Sequence, residues 1–341
     1  MDFVIALGDL FMPRACLACG CRLGMRERHL CLSCAADVPY TRFWLAAHNP
    51  LADRFNAVLE RHRGTEPMDY AYAAALIYYK GAYRSIPRAL KYQGNLAAGR
   101  HYGALLGRRL AAAPHFADID LVIPVPLHWT RLRSRGYNQA EVLARALADA
   151  FRATSGPGAP GSVALSTASS SGTSSRWPVG AGHDEETTPT TASPVTPSTV
   201  LPGLTRNLPE VRTDLLVRAR RTRTQTRVSV DQKARNVASA FQVPERFSLW
   251  ARFVSTLKGD VPESPAAVLA SAHHILLVDD TFTTGATLYA CYAALRPFTT
   301  ARISIATLAA VEGTPAVDGL PSGTSGPPSA PGIPSAPSGG P

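Results

Sequence analysis

The sequence lacks any long uninterrupted apolar segment. Its amino terminus, MDFVIALGDLFMP, has an acidic second residue, and Gly8 and Asp9 break its short apolar stretch. This pattern is typical of neither a signal peptide nor a membrane-spanning helix. No other window is long and apolar enough to span a bilayer. We therefore expect a cytoplasmic protein without a membrane span.

Acidic residues are fewer than basic ones. The chain of 341 residues has 25 Asp and Glu against 35 Lys and Arg, which gives a formal net charge of +10. Such a surface favours phosphate-bearing or otherwise acidic partners. Apolar residues make up 45% of the chain, which is enough to build the core of one large or two modest domains.

Aromatic residues are almost absent from two long stretches, residues 153–212 and 314–341. Both are dominated by Ser, Thr, Pro, Gly and Ala. A segment of this composition cannot bury enough apolar surface to offset its chain entropy. The sequence therefore predicts a disordered insertion over 153–212 and a disordered tail over 314–341.

A nucleotide-binding glycine loop is also missing. No Walker-type glycine-lysine loop occurs in the chain. The segment GPGAPG, residues 156–161, has the spacing of a dinucleotide-binding fingerprint, but it follows no strand, contains two prolines and opens no helix. These observations argue against the common nucleotide-binding folds.

The remaining sequence alternates apolar strands with amphipathic helices. Because this alternation produces parallel sheets with helices on both faces, residues 71–152 and 213–313 predict one α/β domain behind an N-terminal region of residues 1–70. The expected strands are 71–79, 120–128, 275–278 and 302–310, and the expected helices are 82–93, interrupted near Pro87, 138–152 and 286–296.

A cysteine cluster near the amino terminus has the spacing of a zinc site. In CLACGCRLGMRERHLCLSC, Cys16 and Cys19 form one pair and Cys31 and Cys34 a second pair. Two such pairs can direct four thiolates at one tetrahedral ion. Disulfides are the alternative, which a cytoplasmic location disfavours. Cys21 is a fifth thiol that could replace Cys19. The zinc would be structural, with contact to nucleic acid as the alternative.

The stretch ILLVDDTFTTGAT, residues 275–287, joins a buried strand to a polar turn and a helix. The first amides of that helix and the threonine hydroxyls would hold a phosphate, and the two carboxylates would accept hydrogen bonds from sugar hydroxyls. A sugar 5-phosphate would use both the phosphate-binding turn and the two carboxylates. The alternative is an ordinary turn with an aspartate cap. The candidate residues are Asp279, Asp280, Thr283, Thr284, Gly285, Ala286 and Thr287.

The segment LLVDDTFTTGAT resembles the ribose-phosphate motif of type I phosphoribosyltransferases. Three further features accompany it: VIPVPLHWTRLRSRGYNQAEVLAR, RRTRTQTRVSVDQKARNVASAF and the leading cysteine knuckle. Together the four motifs resemble, in the same order, the ComF family, which is linked to natural competence and DNA uptake. The resemblance covers most of the chain outside the insertion and the tail.

This resemblance implies a phosphoribosyltransferase-like fold with an N-terminal zinc-binding domain. It implies a phosphoribosyl pyrophosphate or nucleotide-like ligand, with magnesium on the pyrophosphate, and single-stranded DNA and competence proteins as partners. The implied pyrophosphate loop is Pro124, Val125, Pro126 and Leu127. The implied mobile basic loop contributes Arg220, Arg221, Arg223, Arg227, Lys233 and Arg235, which as alternatives form a solvated surface or contact nucleic acid.

Three functions fit these features. The first is a ComF-like competence protein that handles DNA or a phosphorylated nucleotide. The second is an active phosphoribosyltransferase, although Leu127, His128 and Trp129 make the implied pyrophosphate loop bulkier than in active transferases. The third is an adaptor that senses a ribose phosphate. The segment 135–139, RGYNQ, is either a turn with a helix cap or a family-specific contact.

Overall fold

The computed structural model describes residues 14–62, 69–155, 208–219, 240–245 and 264–313. The helices are α1 Leu32–Ala36, α2 Pro50–His62, α3 Ser85–Tyr92, α4 Leu96–Ala111, α5 Trp129–Arg135, α6 Gln139–Ser155, α7 Pro265–Ser271 and α8 Ala286–Leu295. The strands are β1 Ala73–Tyr78, β2 Leu121–Pro124, β3 Glu210–Val211, β4 Val217–Arg218, β5 Phe241–Gln242, β6 His274–Phe282 and β7 Arg302–Ala310. Short 3-10 helices lie at Phe43–Leu45, Gly81–Arg84, Pro114–Phe116 and Arg296–Phe298.

One parallel sheet of five strands organises the fold. Its strand order is β1-β7-β6-β2-β3, and every neighbouring pair in it is parallel. β4 and β5 form a separate antiparallel pair. The prediction of an α/β fold with a parallel sheet is confirmed.

Helices cover both faces of this sheet. In β6, Ile275 and Leu277 belong to one core with residues of α2, α7 and α8, whereas Leu276 and Val278 belong to the other core with residues of α3, α4 and α6. All four side chains are fully buried. A strand covered on both faces is apolar at every position, which is why this segment has a continuous apolar run instead of an alternating one.

Helices α4 and α6 pack unusually close together. A Cβ atom on Gly103 would lie 2.8 Å from the carbonyl oxygen of Leu143, and one on Gly107 would overlap the carbonyl oxygen of Leu147. Only glycine permits this approach of one helix to the backbone of the other. The contact fixes the position of α6, whose first residue, Gln139, reaches the candidate site described below.

The N-terminal region packs on both faces of the sheet. Leu51, Phe55 and Leu59 of α2 are buried in one core with the sheet, and the cysteine segment contributes to the other core. Tyr40 forms an isolated bridge to Ile77 in the edge strand β1. The described part of residues 1–70, the predicted zinc-knuckle region, therefore also builds the α/β core.

The described chain extends into both ends of the predicted insertion 153–212. Residues 153–155 complete α6, where the Thr154 hydroxyl donates to the carbonyl of Ala150 at 2.8 Å. β3 joins the sheet beside β2, and the Glu210 amide donates to the carbonyl of Asp120 at 2.9 Å. The helix α6 and the strand β3 therefore extend past both predicted ends of the insertion. Residues 156–207 and the predicted tail 314–341 lie outside the described residues.

One local expectation needs correction. Pro87 does not interrupt a helix, because it lies in the first turn of α3, where its missing amide has no helical partner to lose. The strand within 120–128 ends at Pro124, at the start of the expected Pro-Val-Pro turn, since only the Val125 amide beyond it still pairs with β6, through the carbonyl of Val278 at 2.8 Å. Pro126 has no amide to continue the ladder.

Among the described residues, no helix combines the length and the apolar character that crossing a membrane requires.

Candidate functional site

The order of the strands creates a crevice between the ends of β2 and β6. These two strands are neighbours, but the chain leaves β2 towards β3 on one side and leaves β6 towards β7 on the other. In open α/β sheets, ligands bind at the carboxyl ends of the strands where the connections diverge in this way. A cleft of about 300 Å³ lies here, and we call it the first cleft.

The two adjacent aspartates, Asp279 and Asp280, lie inside β6. The strand was predicted to end at Val278, but it continues to Phe282 because Asp279 still pairs with Thr307 and Phe282 with Ala310 of β7. Successive residues in a strand face opposite sides of the sheet. The acidic pair is thereby divided, and each carboxyl group has different neighbours.

Asp280 is held by one cation and two neutral hydrogen-bond donors. Lys91 of α3 forms an ion pair with it at 2.5 Å, the amide of Gln139 donates to it at 3.2 Å, and the Thr281 hydroxyl donates at 2.6 Å. Asp280 is buried, and Lys91 keeps about a quarter of its side-chain surface exposed. Burial lowers the pKa of Lys91, but the nearby Asp280 carboxylate outweighs it and raises that pKa overall.

Asp279 has a different electrostatic environment. Burial, reinforced by the neighbouring Asp280 carboxylate, raises the pKa of Asp279 to about 8. Its carboxyl accepts the backbone amide of Asp280 at 2.8 Å, and its side chain lines the first cleft. This environment therefore favours the protonated form of Asp279 more than water does.

The turn after β6 requires a glycine directly before α8. Gly285 precedes α8 with a φ of +79°, and a Cβ atom there would lie 3.0 Å from the Phe282 ring. Only glycine suits both conditions. The Ala286 amide faces the Thr284 hydroxyl at 3.4 Å. Arg54 of α2 holds the turn in place by donating to the carbonyl oxygen of Thr283 at 2.8 Å.

The segment from β2 to α6 forms the opposite wall. Asn138 caps α6 by accepting the Ala140 amide at 3.1 Å, and its own amide donates to the carbonyl of Val125 at 3.1 Å. Arg135 donates to Gln139 at 3.0 Å, which links it to Asp280. The segment 135–139 is thus a turn with a helix cap, and Arg135 and Gln139 within it also line the first cleft.

The structure brings most of the predicted site residues together and adds several. Of the predicted residues, Val125, Pro126, Leu127, Asp279, Asp280, Thr283 and Thr287 line the first cleft. Pro124, Thr284, Gly285 and Ala286 lie in the same two segments without lining it. Six further residues of the lining were not among the candidate site residues: Tyr79, Lys91, Tyr92, Arg131, Arg218 and Thr281.

Lys91, Tyr92, Arg131 and Arg218 come from three distant segments of the chain. Three of them are cations on separate elements, α3, α5 and β4, so only the fold brings them to one cleft. The basic residues predicted for the mobile loop, Arg220, Arg221, Arg223, Arg227, Lys233 and Arg235, lie outside the described residues. The strands that flank this segment are paired, with Arg218 opposite Phe241.

A second polar centre lies in the cysteine segment. The sulfur atoms of Cys16, Cys19, Cys21 and Cys31 all lie within 4.8 Å of one another, and those of Cys19 and Cys31 are 3.8 Å apart. A zinc ion with Zn–S bonds of about 2.3 Å separates its ligands by about 3.8 Å, so the spacing fits zinc. Burial raises the pKa of Cys16, but amides of the knuckle backbone outweigh it and lower that pKa to about 6.

This set of thiols differs from the predicted one at one position. Cys21 takes the place of Cys34, because Gly20 adopts a φ of +78° and the Cys16 amide donates to the carbonyl of Cys21 at 2.8 Å. That tight turn returns Cys21 to the cluster. Cys34 lies close enough to interact with the Cys31 thiol, and this interaction raises the pKa of Cys34. The cluster could bind zinc through the four close thiols.

No protein-family model matches the chain, and no curated protein does so either. We therefore infer the ligands of the two centres from the residues of these centres alone.

Proposed function

We propose that this chain is a ComF-like protein of type I phosphoribosyltransferase fold that binds a ribose 5-phosphate ligand, such as phosphoribosyl pyrophosphate, in the first cleft. The observation that carries this function is the convergence, at one crevice of a parallel sheet, of an acidic pair, a glycine-containing threonine turn and a ring of cations. Each of the three matches a different part of the ligand.

The threonine turn suits the 5-phosphate. The first amides of α8 have no partner within the helix, and Thr283 and Thr287 line the cleft beside them. The cations suit the pyrophosphate, because Lys91, Arg131 and Arg218 line the same cleft. The carboxyl groups suit the ribose hydroxyls, which are hydrogen-bond donors.

Magnesium fits this site through the carboxyl groups. Hard cations prefer oxygen ligands and, in phosphate sites, share one or two carboxylates with the phosphates of the substrate. Asp279 is the carboxyl group available for this, because Asp280 is already held by Lys91, Gln139 and Thr281, and Asp279 first has to lose its proton. We therefore expect magnesium-dependent binding to strengthen as the pH rises towards 8 and beyond.

The cellular role in this proposal is natural competence and DNA uptake. It is supported by the order of the four sequence motifs, by the net charge of +10 and by the cysteine cluster. Single-stranded DNA and competence proteins are the corresponding partners. Zinc bound by the cysteine cluster would have a structural role there.

An active phosphoribosyltransferase is the second candidate, and the environment of Asp279 favours it. A carboxyl group with its pKa raised to about 8 is held at the cleft against an unfavourable environment, which simple binding of phosphate does not require. In the transfer, an acceptor nitrogen forms a bond to the anomeric carbon while the bond from that carbon to the pyrophosphate oxygen breaks. Pyrophosphate leaves with the electron pair, and the nitrogen loses its proton to water.

Calorimetric titration with phosphoribosyl pyrophosphate and magnesium tests the binding function. We expect saturable binding by the wild-type protein, and at least about tenfold weaker binding without magnesium dependence after Asp279→Asn combined with Asp280→Asn. Inorganic phosphate should bind both proteins equally. Asp149→Asn, on the exposed side of α6, is the matched control and should change nothing.

Folded, zinc-loaded wild-type protein that shows no saturable binding at millimolar ligand would refute the ribose-phosphate function. Release of pyrophosphate in the presence of an acceptor separates the two candidates, since the binding protein releases none.

A further inference from the structure

A second cleft, of about 160 Å³, lies at the carboxyl ends of β1 and β7. Tyr78 and Ala310, the last residues of these strands, line it together with Leu51 of α2 and with Phe43 and Val311. Its volume is about five times the roughly 30 Å³ that a water molecule occupies in the liquid. The cleft therefore suits a molecule that is largely apolar and much smaller than a nucleotide.

Arg54 of α2 is the cation in the lining of this cleft. Its guanidinium donates to the carbonyl oxygens of Val311 at 2.7 Å and Thr283 at 2.8 Å, and it forms no ion pair within the described part of the chain. Burial lowers the pKa of Arg54, because the charged form is poorly solvated there. A guanidinium has five N–H groups, so donors remain for a carboxylate, which would also compensate the charge.

An anionic residue lines the same cleft beside Arg54. Gly313 permits the guanidinium to pack on the backbone at this point, since a Cβ atom there would lie 2.5 Å from the guanidinium carbon. The preceding residue, Glu312, lines the cleft and pairs with Lys80 at 2.7 Å, and about half of each of these side chains is exposed. An exposed ion pair contributes little stability, and a carboxylate accepts several donors, so Glu312 can bind a further cation.

We propose that the second cleft binds a free apolar amino acid. Its carboxylate meets Arg54, its ammonium group meets Glu312, and its aliphatic side chain packs against Leu51 and Ala310. A purely anionic molecule would be repelled by Glu312 and a purely cationic one by Arg54, so this pair of opposite charges favours a zwitterion. The apolar walls favour an aliphatic side chain over a polar one.

Arg54 also connects the second cleft to the first. The guanidinium that would bind the carboxylate holds the threonine turn through the carbonyl of Thr283, and it lies over the Phe282 ring at 5.2 Å from the centroid. A bound carboxylate fixes Arg54 in this position and thereby stabilises the turn. We therefore expect the amino acid to strengthen binding of phosphoribosyl pyrophosphate, and the converse effect to have the same factor. Only this coupling rests on the proposed function.

Four probes, titrated calorimetrically into full-length, zinc-loaded protein, test the ligand class. Leucine carries the carboxylate, the ammonium group and the aliphatic side chain. The compound 4-methylpentanoate lacks the ammonium group, 3-methylbutylamine lacks the carboxylate, and alanine lacks most of the aliphatic side chain. We expect leucine to bind at least about tenfold more tightly than each of the other three.

Three variants locate the binding in the second cleft. Glu312→Gln should remove the advantage of leucine over 4-methylpentanoate, whereas Glu60→Gln, at an exposed position of α2 outside the lining, should leave it unchanged. Ala310→Val narrows the cleft without removing either charge and should weaken leucine more than alanine, because the longer side chain needs the space. Melting curves verify folding.

Equal affinity for leucine, 4-methylpentanoate and 3-methylbutylamine would overturn the assignment, as would equal effects of Glu312→Gln and Glu60→Gln. No saturable binding of leucine at millimolar concentration would overturn it as well. Titration with phosphoribosyl pyrophosphate, with and without saturating leucine, separates this assignment from the proposed function. If phosphoribosyl pyrophosphate fails to bind while leucine binding still depends on Glu312, only the ribose-phosphate function fails. If both ligands bind without affecting each other, the coupling through Arg54 is refuted.

Discussion

Replacing Lys91 by methionine tests how the protein tolerates a buried carboxylate at its candidate site. Methionine keeps the unbranched shape of the side chain, one atom shorter, but removes the cation that lies 2.5 Å from Asp280. Asp280 is almost completely buried, so the variant leaves a negative charge with little access to water. The expected result is a loss of stability that depends on Asp280.

The structure sets the size of this loss. Removing one partner of a buried ion pair costs about 3–5 kcal/mol. Here Lys91 has 26% of its side-chain surface exposed, and Gln139 and Thr281 continue to donate to Asp280. Both facts reduce the penalty, and we expect about 2 kcal/mol, or about 4–8 °C in melting temperature. Because the Lys91 charge also lowers the pKa of Asp279, the variant should raise that pKa further.

Denaturant unfolding of a double-mutant cycle measures the effect. In an Asp280→Asn background, Lys91→Met should cost less than about 1 kcal/mol, since no charge remains to be compensated. Lys80→Met is the matched control, because Lys80 pairs with Glu312 at 2.7 Å on the surface and should matter by less than about 0.5 kcal/mol. An equal cost of Lys91→Met in both backgrounds would refute the electrostatic explanation.

Three further predictions follow from the two centres. The pKa of Asp279 is raised in the folded state, so wild-type stability should fall as the pH rises from about 4 to about 8; Asp279→Asn should lack this dependence in unfolding curves at pH 5 and pH 9. Gly285→Val should abolish binding of both ribose 5-phosphate and inorganic phosphate in calorimetry, because valine disfavours a φ of +79° and meets the Phe282 ring, and retained phosphate binding would contradict this. Cys21→Ser should lower zinc affinity in chelator competition more than Cys34→Ser does, and the reverse order would restore the ligand set predicted from sequence.

The local motifs were accessible from sequence because each depends on residues that are close along the chain. A continuous apolar run before Asp279 predicts a buried strand, and Gly285 among threonines predicts a tight turn into a helix. The strand of residues 302–310 was predicted with the observed bounds. Repeated strand and helix patterns were likewise enough for the α/β class with a parallel sheet.

Strand length and metal-ligand identity were not accessible in the same way. β6 extends past Val278 because β7 supplies pairing partners. The residue types of Asp279 and Asp280 do not indicate that this pairing continues. Cysteine spacing alone favoured Cys34, whereas the backbone turn at Gly20 brings Cys21 to the cluster. Both outcomes depend on where another part of the backbone lies.

The sequence by itself determined the elements of the candidate site, namely the acidic pair, the threonine turn and the cysteine knuckle. Only the tertiary structure decided their electrostatics. Lys91, Arg131 and Arg218 come from three separate elements, α3, α5 and β4, which only the tertiary structure brings to one cleft. Charge interactions depend on distance in space and on burial, and neither quantity can be read from separation along the chain.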